Sequence, residues 1–210
     1  MKVTVIGSGN MGSAFVKQLT RAGHTVTVTG RNLEKAKAVA AANPGASAAA
    51  AAQAAAQAEV VVLATGFGDA VEALKSLGKL DGKVVIDITN PLTPDYMGLT
   101  LGYSSSAGEE IAKAVPGAEV VKAFNTVFAQ VLGEGADFGK GQKVTVFVAG
   151  DSDRAKQTTA SLAQSMGFAT QDAGGLKNAR YLEPLAGLNI YLGYGAGLGT
   201  SIAPVWIKKA

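Results

Sequence analysis

Residues 2–12 read KVTVIGSGNMG, a run rich in β-branched residues that leads directly into three glycines spaced G-x-G-x-x-G. Apolar side chains at helical spacing follow, and residues 25–29 read TVTVT, which is typical of a second strand. In such a unit Gly7 permits the tight turn, Gly9 lets the backbone approach a diphosphate, and Gly12 lets the helix pack against the strand. Free N–H groups at the helix start bind phosphate oxygens. The stretch therefore predicts a dinucleotide-binding unit rather than a purely structural glycine-rich turn.

The end of the second strand indicates which dinucleotide binds. In NAD-binding proteins a carboxylate about 20 residues beyond the glycines accepts hydrogen bonds from the ribose 2′-hydroxyl. Here no acidic residue precedes Glu34, and Gly30-Arg31-Asn32 follows the strand. The Arg31 guanidinium suits a 2′-phosphate, which a carboxylate would repel. NADP(H) is therefore expected rather than NAD(H); the alternative is that Arg31 and Lys35 are only solvated cations at a helix start.

Composition limits the other functions open to the chain. With 48% apolar and 17% charged residues among 210, it is typical of one globular α/β domain with a short appendage. A net charge of +3 is too small to favour nucleic acid. The lack of cysteine excludes disulfides, thiolate metal sites and cysteine nucleophiles. A strand is expected from Lys2, so we expect no signal peptide and a cytoplasmic protein.

An uncharged segment, Leu185 to Ile207, precedes Lys208-Lys209 near the end of the chain. Its length and basic flank resemble those of a membrane span, but its five glycines and several polar residues make it too weakly apolar. A helix and a glycine-rich tail buried between two subunits explain the segment better. The sequence therefore predicts a homodimer that does not associate with a membrane.

Strand and helix patterns alternate along the chain, which predicts a Rossmann-type, doubly wound α/β fold with a mostly parallel sheet. The expected strands are 2–6, 25–29, 59–64, 83–88, 119–124, 143–149 and 169–172. The expected helices are 10–22, 33–42, 69–77, 107–115, 152–166 and 176–191. The Ala-rich stretch 46–58 is expected to be a short surface helix, because Ala and Gln favour helices. The fold is expected to end in a short C-terminal helical extension. Residues 1–150 should form the NADP-binding domain, and residues 151–210 a C-terminal α/β extension that contributes to the acceptor site and the dimer interface.

Ligands of open parallel sheets bind beyond the carboxyl ends of the strands. Three further strand ends carry small, uncharged or aromatic residues, namely Ala64–Phe67, Thr89–Pro91 and Phe124–Thr126. These residues can surround a nicotinamide ring; the alternative is that they only form turns. The buried Asp87 either orients a ligand or accepts hydrogen bonds from backbone N–H groups.

Catalytic side chains are scarce in this sequence. Its one histidine, His24, precedes the second strand and is expected at the opposite edge of the sheet. Hydride transfer to a conjugated ring depends on proximity and orientation, and the proton can come from water. No catalytic side chain and no metal ligand are therefore predicted.

Together these motifs resemble the NADPH-dependent reductases of coenzyme F420, a deazaflavin electron carrier, over almost the whole chain. The reductase domains of the six-transmembrane metalloreductases share part of the pattern. The residues that carry the resemblance are residues 7–12, Gly30-Arg31, Asn90-Pro91-Leu92, Ser105 to Glu110, Val121 to Thr126, Ala149-Gly150-Asp151, Asp172-Ala173-Gly174 and Ala179 to Glu183.

The resemblance implies a role for each predicted site residue. Ser8 to Met11 would hold the diphosphate, the residues around Arg31 the 2′-phosphate, and Ala64 to Phe67 with Asn90 the nicotinamide. A deazaflavin or flavin (FMN or FAD) would dock near Phe124 and Asn125, in a dimer built partly from the C-terminal segment. The predicted cofactor-binding residues are Gly7, Ser8, Gly9, Asn10, Met11, Gly30, Arg31, Asn32, Lys35, Ala64, Thr65, Gly66, Phe67, Asn90, Pro91, Phe124 and Asn125.

Two positions depart from the family pattern. Archaeal members typically have histidine where Asn125 stands and serine where Gly30 stands, whereas metalloreductase-like members with Phe-Asn at this position use ordinary flavins. The expected function is hydride transfer between NADP(H) and coenzyme F420 as a small-molecule redox carrier. The alternatives are an NADPH-dependent reductase of ordinary flavins or a small imine, and a non-enzymatic NADPH-sensing module.

Overall fold

Eight strands form one sheet in the computed structural model, which describes residues 1–207 and 209. The strand order is β3-β2-β1-β4-β5-β6-β7-β8, and every neighbouring pair is parallel except β6 and β7, which are antiparallel. The strands are β1 (Lys2–Ile6), β2 (Thr25–Thr29), β3 (Ala46–Ala48), β4 (Val60–Leu63), β5 (Val84–Asp87), β6 (Glu119–Lys122), β7 (Thr145–Gly150) and β8 (Ala169–Asp172). The predicted Rossmann-type, mostly parallel α/β fold is confirmed.

Helices cover both faces of this sheet. They are α1 (Asn10–Arg21), α2 (Leu33–Ala41), α3 (Ala51–Ala54), α4 (Phe67–Ser76), α5 (Ala107–Ala114), α6 (Ala129–Glu134), α7 (Asp153–Ser165) and α8 (Ala179–Ile190). The valine-rich central strands are buried on both faces, as parallel strands between two helical layers must be. Val3 and Val5 of β1 belong to one apolar cluster and Ile6 to the cluster on the other face.

The glycines after β1 bring α1 close to the sheet. Gly7 has a φ of 119°, and a Cβ there would overlap the carbonyl of Ala64 at the end of β4. A Cβ at Gly12 would overlap the carbonyl of Gly7, so α1 packs against the turn at a distance that only glycine allows. Gly9 has open space where its Cβ would stand. These contacts give the turn the shape that the sequence predicts.

The stretch 46–58 is not the single surface helix that its Ala and Gln content predicts. Residues Ala46–Ala48 form the edge strand β3, which pairs in parallel with β2, and only Ala51–Ala54 are helical. Backbone pairing to an exposed sheet edge outweighs the weak helix preference of a few alanines. The prediction for this stretch was therefore wrong in its first half.

Other differences concern the ends of elements and one missed helix. The short helix α6 was not predicted, and α4 begins at Phe67, two residues earlier than expected. After α8, one π-helical turn spans Tyr191–Gly195. β8, from the predicted C-terminal extension, pairs with β7 and so continues the same sheet; the domain boundary at residue 150 stays a prediction.

The uncharged C-terminal segment forms α8, the π-helical turn and an irregular tail as far as Ile207; Lys208 lies outside the described residues. Among the helices described, none is both long enough and apolar enough to cross a membrane.

Candidate functional site

The predicted strand ends meet at one edge of the sheet. β1, β4, β5 and β6 are adjacent and parallel, so the residues that follow them lie side by side. The chain reverses its direction of strand addition between β1 and β4, which is the place where dinucleotides bind in folds of this type. Two cavities open here, and they share Gly9, Ala64, Thr65 and Gly66.

The start of α1 separates these cavities and fits a diphosphate. Gly9 provides no side-chain cap, and the first turn of α1 contains no acidic residue. Open space lies above Gly9, where a side chain would otherwise stand. Backbone N–H groups at the start of α1 are thus available to an anion in a place where the backbone can be approached.

The first cavity has a volume of about 460 Å³. Ten of the predicted residues line it: Gly7, Ser8, Gly9, Gly30, Arg31, Asn32, Lys35, Ala64, Thr65 and Gly66. The Asn32 side chain caps α2 by accepting a hydrogen bond from the Lys35 backbone N–H at 3.0 Å. Asn32 therefore shapes the loop after β2, while Arg31 and Lys35 supply its positive charge.

Two carboxylates that the sequence analysis missed also line the first cavity. They belong to Asp69 and Glu72 on α4. Arg31 forms an ion pair with Asp69, with the two side-chain nitrogens 3.3 and 3.1 Å from the two carboxylate oxygens. The pair is exposed and joins the loop after β2 to the first turn of α4. This carboxylate comes from the crossover after β4 and is therefore distant in sequence from the end of β2, where the motif places an acidic residue.

The second cavity is larger, at about 810 Å³, and differs in character. No Asp, Glu, Lys, Arg or His is found among the described residues that line it. Four aromatic residues other than Phe124 line it, namely Phe67, Tyr96, Phe128 and Tyr194. Predicted residues on its wall are Gly9, Asn10, Met11, Ala64, Thr65, Gly66, Phe67, Asn90, Phe124 and Asn125.

Two asparagines form a rigid pair at the wall of the second cavity. Asn125 Nδ2 donates to Asn90 Oδ1 at 3.0 Å, and Asn90 Nδ2 donates to the backbone carbonyl of Asn125 at 2.9 Å. Asn125 Nδ2 also donates to the carbonyl of Leu182 on α8 at 2.9 Å. Within the described residues, three buried side-chain oxygens on this wall lack a hydrogen-bond partner: Thr89 Oγ1, Asn125 Oδ1 and Thr126 Oγ1.

Phe124 contributes to the site differently from the prediction. Its side chain is buried in the core, with its ring 5.0 Å from that of Phe15 and 5.8 Å from that of Phe168. Its φ of 58° turns the chain at the end of β6. The ring therefore packs edge-on against the rings of two other core residues and is 1% exposed.

Pro91 is the one predicted residue that lines neither cavity. It is buried, and its carbonyl accepts hydrogen bonds from the backbone N–H and the hydroxyl of Thr100. These bonds close the loop 91–100, whose ends also pair through Leu92 and Leu99. The loop carries Tyr96 to the second cavity.

The strand residue Asp87 does not reach either cavity. Its side chain is fully buried, accepts a hydrogen bond from the Thr89 N–H at 2.8 Å and forms an ion pair with Lys122. Of the two interpretations left open by the sequence, acceptance from a backbone N–H is the observed one. Lys122 and its second partner, Glu183, were not predicted as part of the site.

His24 lies away from both cavities. Its ring contacts the N-terminal amine at 3.2 Å and Ser165 Oγ at 2.8 Å. Partial burial, and then the nearby N-terminal charge, lower the pKa of His24 below its ordinary value. In the part of the chain that the structure describes, no cluster of His, Asp and Glu could hold a metal ion.

Comparison with known proteins adds three findings. Residues 2–91 match the model of a family described as coenzyme F420-dependent NADP oxidoreductase. A crystal structure from Arthrobacter sp., provisionally assigned as an F420-dependent NADP reductase, is 32% identical, covers 96% of each chain and superposes with a TM-score of 0.84. Rat metalloreductase STEAP3 is 31% identical over 185 residues, which are 88% of this chain but only 36% of that protein.

A more distant structure shares the fold. A reductive aminase from Aspergillus terreus, solved in complex with NADPH, is 22% identical, covers 93% of this chain and 63% of its own, and has a TM-score of 0.67. At this sequence identity, the similarity shows a shared fold alone.

Proposed function

Because this chain belongs to the family of coenzyme F420-dependent NADP oxidoreductases, we propose that it transfers a hydride between NADP(H) and the deazaflavin ring of coenzyme F420. It is an NADP-dependent oxidoreductase; the acceptor is the part that we propose. The observation that carries the proposal is the second cavity, which is uncharged, is walled by aromatic rings and opens directly beside the dinucleotide loop.

NADP(H) fits the residues of the first cavity and the junction between the cavities. The uncapped start of α1 would hold the diphosphate, and Arg31 and Lys35 would hold the 2′-phosphate. Binding of the phosphate would require Arg31 to exchange Asp69 for a new partner. Residues shared by both cavities, Ala64 to Gly66, would then lie along the path to the nicotinamide.

The second cavity supports ring-to-ring transfer by its shape and its lack of acids and bases. NADPH, once bound, supplies the hydride, and reduction of F420 takes up one further proton, for which solvent is the source. The Asn90–Asn125 pair and the aromatic walls would orient the acceptor ring, which is what a reaction of this type requires of the protein.

An ordinary flavin, FMN or FAD, is the second candidate acceptor. Asn125 favours it, because metalloreductase-like proteins with Phe-Asn at this position use such flavins and this chain is 31% identical to one metalloreductase. This chain spans only about a third of the length of the metalloreductases that it matches, so it does not correspond to their whole activity.

Stopped-flow mixing tests the proposal. NADPH deuterated on one face of C4 is mixed with F420, FMN, FAD or a small cyclic imine, and the fate of the label is followed by mass spectrometry. We expect F420 to be reduced fastest and to carry the label directly on its ring. Loss of the label to solvent would reject direct hydride transfer to the ring. Reduction of flavins or imines while F420 stays oxidised would reject F420 as the acceptor.

A further inference from the structure

A fully buried network of three charges adjoins the wall of the second cavity. The side chains of Asp87, Lys122 and Glu183 are 0%, 0% and 1% exposed. Lys122 Nζ lies 2.6 Å from Asp87 Oδ2 and 2.8 Å from Glu183 Oε1. Lys122 Nζ also donates a hydrogen bond to the backbone carbonyl of Thr89 at 2.7 Å.

The network connects four elements of the fold. Asp87 and Lys122 end the neighbouring strands β5 and β6, and Glu183 lies in α8. The two Glu183 oxygens accept hydrogen bonds from the backbone N–H groups of Ala107 and Gly108 at 2.9 and 3.1 Å, at the start of α5. A Cβ at Gly108 would stand 3.3 Å from Lys122 Cε, so α5 is packed closely onto the lysine.

The same elements form one wall of the second cavity. Thr89 and Asn90 line it directly after β5, and α8 contributes Ala186, Asn189 and Ile190. Both backbone polar groups of Thr89 are bonded to the network. Its N–H donates to Asp87, and its carbonyl accepts from Lys122. The backbone of Thr89 is therefore tied to α8 through Lys122, while Asn90 is tied to α8 separately, through Asn125 and the carbonyl of Leu182.

Stability alone does not account for three buried charges. Removing charges from water is costly, and apolar side chains of similar size often stabilise a fold as well or better. Apolar side chains cannot, however, fix the direction of a backbone carbonyl and of two N–H groups. A buried ionic network can fix the direction of these backbone groups. Holding the surrounding elements in one unique arrangement is one of the roles for which such networks are retained.

We propose that Lys122, held between Asp87 and Glu183, is a positioning residue that fixes the Thr89–Asn90 wall of the second cavity against α8. It thereby sets the distance between the acceptor ring and the nicotinamide. The inference rests on the proposed function in one respect, that the second cavity receives the hydride acceptor.

The test compares two Glu→Gln variants on the same pair of helices. Glu183→Gln leaves one buried cation with one buried carboxylate, and its amide oxygen can still accept from a backbone N–H. Glu109→Gln is the matched control, because Glu109 on α5 pairs with Arg180 on α8 at 2.7 Å without contributing to the Lys122 network. Asp87→Asn is the second test variant, should Glu183→Gln fail to fold.

Three quantities are measured for each folded variant. They are the single-turnover rate of hydride transfer from NADPH to F420, the NADPH dissociation constant by calorimetry, and backbone hydrogen exchange in residues 88–92. We expect Glu183→Gln and Asp87→Asn to slow transfer about ten- to hundredfold and to speed exchange. NADPH affinity should stay within about twofold, and Glu109→Gln should change neither transfer nor exchange.

Equal slowing by Glu183→Gln and Glu109→Gln would show that general loosening between α5 and α8 is the cause and would overturn the proposal. Parent-like transfer in both test variants would overturn it as well. If the parent protein reduces FMN but not F420, the proposed acceptor is wrong, and the same comparison is made with FMN. If the parent protein reduces neither F420 nor FMN, backbone hydrogen exchange in residues 88–92 becomes the test of the positioning role. Exchange that is unchanged in the test variants then refutes that role.

Discussion

At the scale of single residues, we expect the choice between NADPH and NADH to depend on Arg31. It is the guanidinium nearest to the end of β2, and its side chain is 86% exposed and free to turn towards a bound phosphate. Charge-assisted hydrogen bonds contribute roughly 1.5–3 kcal/mol, so NADPH should bind about ten- to hundredfold more tightly than NADH. Arg31→Asp should abolish or invert the preference in calorimetric titrations. Equal affinities of the parent protein for both cofactors would contradict this assignment.

Asp69 provides the matched control for this prediction. Its carboxylate would compete with the 2′-phosphate for Arg31, because both are anions that pair with the same guanidinium. An exposed ion pair contributes about 0–1 kcal/mol, so Asp69→Asn should tighten NADPH binding by at most about fivefold. NADH binding, which involves no 2′-phosphate, should change less. Weaker NADPH binding in Asp69→Asn would mean that the carboxylate contacts the cofactor itself.

Glu109 links stability to pH. Its hydrogen bonds with Arg180 lower the pKa of the carboxyl below its ordinary value of 4.5. A carboxyl with a depressed pKa in the folded state stabilises that state above the unfolded pKa, and the contribution is lost as the pH falls through the folded pKa. Glu109→Gln should therefore cost about 1 kcal/mol in urea unfolding at neutral pH, and the difference from the parent should shrink towards pH 3. A difference that stays constant with pH would rule out this ion pair as its source.

A site residue could be predicted from the sequence when its role depends on residues close to it in the chain. One stretch of sequence was enough to predict the roles of Gly7, Gly12 and Arg31, because the spacing of residues within it determines the path of the backbone. The roles of Asp69 and Lys122 could not be predicted in this way, because their partners are 38 and 35 residues away in the chain. The orientation of Phe124 could not be predicted either, since a positive φ at a strand end turns its ring into the core.

At the scale of elements, the turn between β1 and α1 is the most demanding contact of the fold. A methyl group at Gly12 would overlap the carbonyl of Gly7, and no flexible side chain is there to yield. Gly12→Ala should destabilise the protein by about 1–3 kcal/mol and weaken NADPH binding, because the start of α1 must shift. Thermal unfolding and calorimetry measure the two effects.

Gly133→Ala is the control for this substitution. Gly133 lies in α6, which packs on α1, and a Cβ there would be 3.7 Å from Ala14 Cβ, an ordinary contact. Alanine is favoured over glycine in helices by up to about 1 kcal/mol, so this variant should be as stable as the parent or more so. Loss of stability in Gly133→Ala equal to that in Gly12→Ala would mean that the overlap at Gly7 is not the cause.

Strands with a clear run of apolar residues were predicted well, and strands without one were not. The valine runs of β1, β2, β4 and β5 indicate strands because both faces are buried. β3 is three residues of Ala and Ser, and its pairing with β2 is decided by the sheet edge rather than by its own composition. The antiparallel direction of β7 likewise depends on the route of the chain after β6, which local sequence does not encode.

At the scale of the whole molecule, one segment of the chain, residues 181–207, carries an unusual share of exposed apolar side chains, which together form its apolar surface. Thirteen large apolar residues are exposed in the described part of the chain, and eight of them lie between Tyr181 and Ile207. These eight are Tyr181, Leu188, Tyr191, Tyr194, Leu198, Val205, Trp206 and Ile207. Surfaces of this kind in isolated proteins mark contact sites.

We propose that a second copy of this chain covers the surface, with α8 and the tail at the interface. A stable dimer buries about 800 Å² on each subunit, which 20 to 30 residues provide, and the segment from residue 181 to 207 has that size. Light scattering at micromolar concentration should give twice the chain mass of 21.1 kDa. Leu188→Glu should give the single-chain mass without loss of fold, because Leu188 is 55% exposed in one subunit.

Phe138→Glu is the matched control, since Phe138 is 44% exposed but lies outside this surface, after α6. It should leave the dimer intact. A parent protein that keeps the single-chain mass at these concentrations would refute the dimer. A dimer that survives Leu188→Glu would place the interface elsewhere.

Since Tyr194 lines the second cavity and is also 64% exposed, a dimer through this surface would bring the partner close to the acceptor site. Transfer rates that fall on dilution below the dimer dissociation constant would show that each site needs both subunits.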